Sequence, residues 1–178
     1  MVKRFALLLV VGATLMLARP ASAQDFSRLD MAFGYGNYGL EVGPSTDDRV
    51  HGFVMHTDIN LVRWFTFENV TGAYSAPADF TLITNTFGVK LVARDVLDGR
   101  VSPYVAGGFG IGYFSSNVSG GSISTGAARY GAGIDLNMGD AMAIRFDVGG
   151  LALGTGYIRD EWQSQINVTA GVVFSLGN

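Results

Sequence analysis

Between residues 142 and 151 the chain alternates strictly: Ile144, Phe146 and Val148 occupy one set of positions, and Ala143, Arg145, Asp147 and Gly149 the other. Successive side chains of a strand leave opposite faces, so this code predicts one greasy face and one charged face padded with small residues. The same code recurs along the chain. Residues 29–40 set Met31, Phe33 and Tyr35 against Asp30, Ala32, Gly34 and Gly36. Residues 50–59 alternate Phe53 and Met55 with Gly52, Val54 and His56, apolar on both sides, which leaves their facing open. Residues 62–74 set Phe65 and Phe67 against Trp64, Thr66 and Glu68; residues 80–94 set Ile83, Phe87, Val89 and Leu91 against Thr84, Thr86, Gly88 and Lys90. In 101–114, Val105, Phe109, Ile111 and Tyr113 oppose Ala106, Gly108, Gly110 and Gly112. In 127–137, Tyr130, Ala132, Ile134 and Leu136 oppose Arg129, Gly131, Gly133 and Asp135. Residues 164–176 close the series, with Ile166, Val168, Ala170, Val172, Phe174 and Leu176 opposite Gln165, Asn167, Thr169, Gly171, Val173 and Ser175.

Eight strands are therefore predicted, and their connections alternate in length. Those at Asn60, at 95–100 with Asp98-Gly99, and around Gly139 are short; 41–49, 115–125 and 154–162 are longer, with 75–79 between. Short turns at one end and long loops at the other describe an all-β, eight-stranded antiparallel up-and-down barrel. The sixth and seventh segments carry their charges at odd positions. Opposed residues of a hairpin share a face, so an odd number of residues, three around Gly139, must connect them. Met138-Gly139-Asp140 as the loop places Asp135 diagonal to Arg145, and Gly139-Asp140-Ala141 places them directly opposite, with Gly139 the expected φ > 0 residue.

The greasy face is expected to meet lipid and the polar face to line the lumen. A closed barrel satisfies its backbone hydrogen bonds without water, which permits β-structure in a bilayer. Eight strands leave an interior just wide enough to be filled by side chains. Glu68, Lys90, Arg129, Asp135, Arg145 and Asp147 are the expected lumen network, paired because unpaired charges there would be costly. A soluble lipocalin-like barrel would share the alternation with its faces reversed.

Composition narrows the picture. Lys3 and Arg4, the apolar run 5–17 and Ala21-Ser22-Ala23 describe a secretory signal peptide over residues 1–23, leaving 24–178 as one barrel domain. Three of the twelve basic residues fall in that leader; nine against fifteen acidic ones give the remainder a charge of about −6, which argues against nucleic acid. With no cysteine, disulfides, thiol catalysis and a lipidated anchor are excluded. No apolar run after the leader reaches the length of a helical span.

The segment Tyr104-Val105-Ala106-Gly107-Gly108-Phe109-Gly110-Ile111-Gly112-Tyr113, the stretch Ile144-Arg145-Phe146-Asp147-Val148 and the final Ala170-Gly171-Val172-Val173-Phe174-Ser175-Leu176 carry a resemblance. Over roughly residues 25–176 the chain resembles the small bacterial outer-membrane β-barrels, such as the membrane domain of outer-membrane protein A and the opacity-type adhesins. The resemblance implies a Gram-negative outer membrane, surrounding lipid and lipopolysaccharide, the barrel-assembly machinery during biogenesis, and a monomer. Members commonly end on an aromatic residue that this machinery recognises; this chain ends Leu176-Gly177-Asn178, with Phe174 the nearest aromatic.

Chemistry is scarce. His51 and His56 are the only histidines and fall on opposite strand faces, and no neighbouring acid supplies ligand spacing, so no metal site is expected. Lipid A deacylases of similar shape use outward His and Ser with a Glu; here Thr57 adjoins His56 and faces the other way. Gly34-Tyr35-Gly36 and 107–112 lack the helix and Lys-Ser/Thr of a phosphate loop, so no cofactor is expected. Asn69-Val70-Thr71 and Asn167-Val168-Thr169 fall in strands and are discounted as glycosylation sites. Tyr38, Trp64, Tyr74, Tyr113, Tyr157 and Trp162 suit interfacial girdles. The expected protein is non-enzymatic, with a structural or surface-interaction role. A loop-borne adhesin is the alternative, its extracellular ligand unspecified, and a lipid-modifying enzyme comes behind it.

Overall fold

The computed structural model describes residues 26–41, 47–76, 80–94, 96–116, 121–154 and 162–176. The expected signal peptide lies outside them. Eight strands follow in chain order: β1 (Leu29–Glu41), β2 (Asp47–Val62), β3 (Phe65–Ala76), β4 (Phe80–Val92), β5 (Val101–Ser116), β6 (Gly121–Asn137), β7 (Met142–Gly154) and β8 (Trp162–Leu176). Each pairs antiparallel with the next, and β8 pairs with β1 to close the barrel.

The register explains why the alternation is consistent around the ring. From β1 to β5 the inner face carries even-numbered residues. The β5–β6 pairing, with Val101 opposite Leu136 and Gly112 opposite Thr125, joins odd to even, so β6 to β8 carry odd-numbered residues inward. The outward set is apolar and open: Phe109 is 76% exposed, Ile166 69% and Ile111 64%. So much exposed aliphatic and aromatic surface is what a lipid solvent requires and what water opposes.

Several boundaries shift. The tight turn expected at Asn60 is instead Arg63-Trp64, because β2 runs on to Val62 with a register shift between Asn60 and Val62. Trp64, expected on the inner face, is 62% exposed in that turn. The loop expected at 115–125 is largely strand: Ser116 pairs with Gly121, and Ser115 also pairs with Thr81 of β4. Ser and Gly there read as a loop, yet a strand is held by its neighbours more than by propensity. Residues 121–126 of β6 have no ladder partner on β7 among the described residues, although the Thr125 hydroxyl donates to the Gly154 carbonyl. The β6–β7 turn takes the second expected form: the Met138 amide donates to the Met142 carbonyl at 2.9 Å, closing Gly139-Asp140-Ala141, and Gly139 has φ +136°.

The lumen has two storeys. At the loop end Tyr38, Val50, Val54, Val70, Tyr74, Leu82, Leu151 and Leu153 form an apolar cluster. This corrects the expectation of a polar lumen throughout, since inward positions near those strand ends are apolar on both parities. It also corrects two girdle assignments. Tyr38 and Tyr74, 0% and 3% exposed, pack on each other inside with ring centroids 6.2 Å apart. Trp64 and Tyr113 face outward; Tyr157 and the side chain of Trp162 lie outside the described residues.

Candidate functional site in the barrel lumen

The lower storey is ionic. All six expected lumen residues point inward; Glu68, Lys90 and Arg145 are at most 2% exposed. Asp135 and Arg145 are directly opposed on β6 and β7. The Arg145 Nε donates to Asp135 Oδ1 at 2.7 Å and its Nη2 to Oδ2 at 2.8 Å, a bidentate pair. Its third arm, Nη1, donates to Asp58 Oδ2 at 3.0 Å. Arg129 donates to Glu68 and, at 3.4 Å, to Asp147. Lys90 donates to Asp58, a residue outside the expected set.

Glycines make these reaches possible. Along the hydrogen-bonded row Glu68–Gly88–Gly108–Arg129, two strands contribute no side chain between the charges, so the guanidinium can cross to the carboxylate. The row Tyr104–Gly133–Asp147 repeats the device: the Tyr104 ring lies where a Cβ on Gly133 would fall, and its hydroxyl donates to Asp147. Tyr104 also lies beneath Lys90 and Arg145, whose cations sit 4.9 and 5.2 Å from its ring centroid.

Sequence reasoning missed Asp58 and Tyr104 and left His56 as either a lumen-lining or an interfacial residue. The signal for Asp58 and His56 was the parity of β2: Phe53 and Met55 outward imply His56 and Asp58 inward. Asp58 stands directly opposite Glu68, an unfavourable like-charge pair that Lys90, Arg129 and Arg145 offset. The two histidines do separate as expected. His51 lies outside, its ring 5.9 Å from that of Tyr35 and its Nδ1 2.9 Å from Asn37 Nδ2, while His56 is 2% exposed inside. The expectation that no acid accompanies a histidine is corrected: donor atoms of His56, Asp58 and Glu68 lie within 4.8 Å of one another. Adjacency in the chain did not reveal it because Glu68 arrives from the next strand.

Below this cluster, near the short turns, Asn60 accepts from Thr66 Oγ1 and Arg94 Nη2, each at 2.6 Å, and donates to Asp30 at 2.7 Å. On the outer wall an apolar concavity of about 900 Å³ lies among Trp64, Val105, Ala132, Phe146 and Val148. It reflects the small Ala132 between bulkier neighbours on the lipid side and opens outward, on the opposite side of the wall from the ionic storey.

A family model described as the outer membrane protein beta-barrel domain matches residues 5–174. The chain belongs to that family. This outer-membrane barrel is accordingly placed in the outer membrane, with lipid around its wall. Solved structures share its fold. The attachment invasion locus protein Ail of Yersinia pestis superposes with a TM-score of 0.59 at 19% identity, covering 84% of this chain and 98% of that one. Neisserial surface protein A gives 0.64 at 10% identity, covering 83% and 96%. The N-terminal β-barrel domain of Pseudomonas aeruginosa OprF gives 0.58 at 14%, covering 83% and 97%. No curated protein matches this outer-membrane barrel in sequence.

Proposed function

We propose that this barrel is a non-enzymatic outer-membrane protein with a structural or surface-interaction role, monomeric and folded by the barrel-assembly machinery. The observation that carries the proposal is the filled lumen. Among the described residues an apolar storey above an ionic one packs the interior with side chains, which favours action through the wall and the loop-side rim over a diffusion pore. Catalysis is disfavoured for the same reason: the titratable cluster lies beneath the apolar storey, out of a substrate's reach.

Lipopolysaccharide is the proposed wall partner. At the loop end Arg49 Nη1 donates to Asn37 Oδ1 at 3.0 Å and Asn37 contacts His51, an exposed polar chain beside Tyr35 and above Phe53. Donors directly above an aromatic row suit the level where acyl chains give way to headgroups. A loop-borne binding role is the second reading, favoured by residues 121–126, which have no ladder partner on β7 among the described residues and offer an edge for an added strand. The loop stretches 41–49, 75–79 and 154–162 carry six acidic residues (Glu41, Asp47, Asp48, Asp79, Asp160, Glu161) against Arg49 and Arg159, which disfavours a polyanionic partner of the loops themselves, as distinct from lipid phosphates met at the wall.

Proteoliposome swelling tests the filled lumen, with no sugar flux above protein-free vesicles expected. Replacing residues 117–120 and 155–161 by Gly-Ser of equal length separates the two roles. Envelope resistance to detergent should persist if the barrel is structural, whereas lost surface attachment would favour the binding reading. Sugar flux through the intact barrel would overturn both.

A further inference from the structure

We infer that the lumen binds one divalent first-row transition-metal ion, held by His56 and by the free oxygens of Asp58, Glu68 and Asp147. Each of these three carboxylates has one oxygen held from outside. Asp58 Oδ2 receives Lys90 and Arg145, Glu68 Oε1 receives Arg129, and Asp147 Oδ1 receives Tyr104 and Arg129. The other oxygens, Asp58 Oδ1, Glu68 Oε2 and Asp147 Oδ2, are buried with no hydrogen-bond partner among the described residues, and so are both ring nitrogens of His56. Buried polar atoms are almost always satisfied, so a concentration of them on facing side chains calls for a ligand.

The geometry suits a cation. The donor atoms of His56, Asp58 and Glu68 lie within 4.8 Å of one another, and His56 Nε2 is 3.9 Å from Asp147 Oδ2. Ligands about 2.1 Å from a tetrahedral ion are about 3.4 Å apart, a contraction that small side-chain rotations supply. Arginine, lysine and tyrosine holding the outer oxygens form the second shell that orients ligating carboxylates. Imidazole with carboxylates selects a first-row ion such as zinc over magnesium or calcium. Charge does not oppose it. Asp58, Glu68, Asp135 and Asp147 exceed Lys90, Arg129 and Arg145 by one, so a divalent ion turns an excess of one negative charge into one positive. Beneath the apolar storey the ion would be structural.

The test uses the refolded barrel in detergent, stripped with chelator, loaded with Zn²⁺ or Co²⁺, desalted and measured for bound metal. About one ion per chain is expected for the wild type and for His51→Ala, whose ring lies on the outer wall, and none for His56→Ala. Folding of each variant is checked by heat-modifiable migration. Should His56→Ala fail to assemble, imidazole ¹⁵N shifts of the wild type answer the question, since Zn²⁺ should move His56 alone. No retained metal, retention by folded His56→Ala, or shifts confined to His51 would overturn the inference.

Discussion

Arg145→Ala tests the lumen most sharply, because the three contacts of this one guanidinium are unequal. Asp135 loses both of its charge-assisted bonds, at 2.7 and 2.8 Å, and is left buried with only the non-bonded Arg94 as counter-charge. Asp58 loses a bond at 3.0 Å but keeps Lys90. Stranding one buried carboxylate costs about 3–5 kcal/mol. Asp135→Ala should cost less, about 1–3 kcal/mol, since Arg145 retains Asp58. The double variant Arg145→Ala with Asp135→Ala removes one charge of each sign and leaves the balance of the storey unchanged. It should be milder than Arg145→Ala, giving a coupling of about 2–3 kcal/mol. Urea unfolding in lipid vesicles, with the folded fraction read from heat-modifiable migration, measures all three. Additive costs, or Asp135→Ala as damaging as Arg145→Ala, would refute the pairing.

Val148 is 56% exposed on the outer wall, and Val148→Arg should destabilise by about 2–4 kcal/mol near mid-bilayer; a stable, water-soluble variant would end the membrane assignment. A Cβ at Gly133 falls on the Tyr104 hydroxyl and the Phe146 carbonyl, so Gly133→Ala should cost about 1–3 kcal/mol in urea unfolding, and less in a Tyr104→Phe background; equal costs in both backgrounds would clear Tyr104. Deleting the chain from Ser164 onward removes the strand that pairs with both β1 and β7, and the remainder should show no heat-modifiable migration. An assembled, protease-resistant truncation would contradict the closure.

The strand count, the inward parity of the charged strands and the Asp135–Arg145 proximity, diagonal or direct, were legible because a charged residue on an otherwise greasy strand fixes the facing of its neighbours. β2 was not legible in the same way. Val50 and Val54 face the apolar storey while Phe53 and Met55 face outward, so hydropathy along that strand hardly alternates and hides His56 and Asp58. Tyr104 was missed, although it shares the inward parity of Ala106 and Gly108, because phenol rings at strand positions serve lipid and lumen alike and its place among the charges depends on the glycine across from it on β6. The hairpin at 115–125 was misread from small polar residues whose strand form depends on pairing with β4, a nonlocal fact.

The facing of Asp58 against Glu68 bears on the order in which the barrel can assemble. The β6–β7 hairpin is electrically complete on its own, since Asp135 meets Arg145 directly across it. The β2–β3 hairpin instead sets two carboxylates against each other and waits for Lys90 from β4, Arg129 from β6 and Arg145 from β7. If the early strands enter lipid first, they carry an uncompensated negative pair through it. When the late strands are seated beforehand, those carboxylates dock onto cations already in position. Closure from the C-terminal half is the route with the lower electrostatic barrier, and exchanging Glu68 for Gln should shorten the lag of the opposite route most.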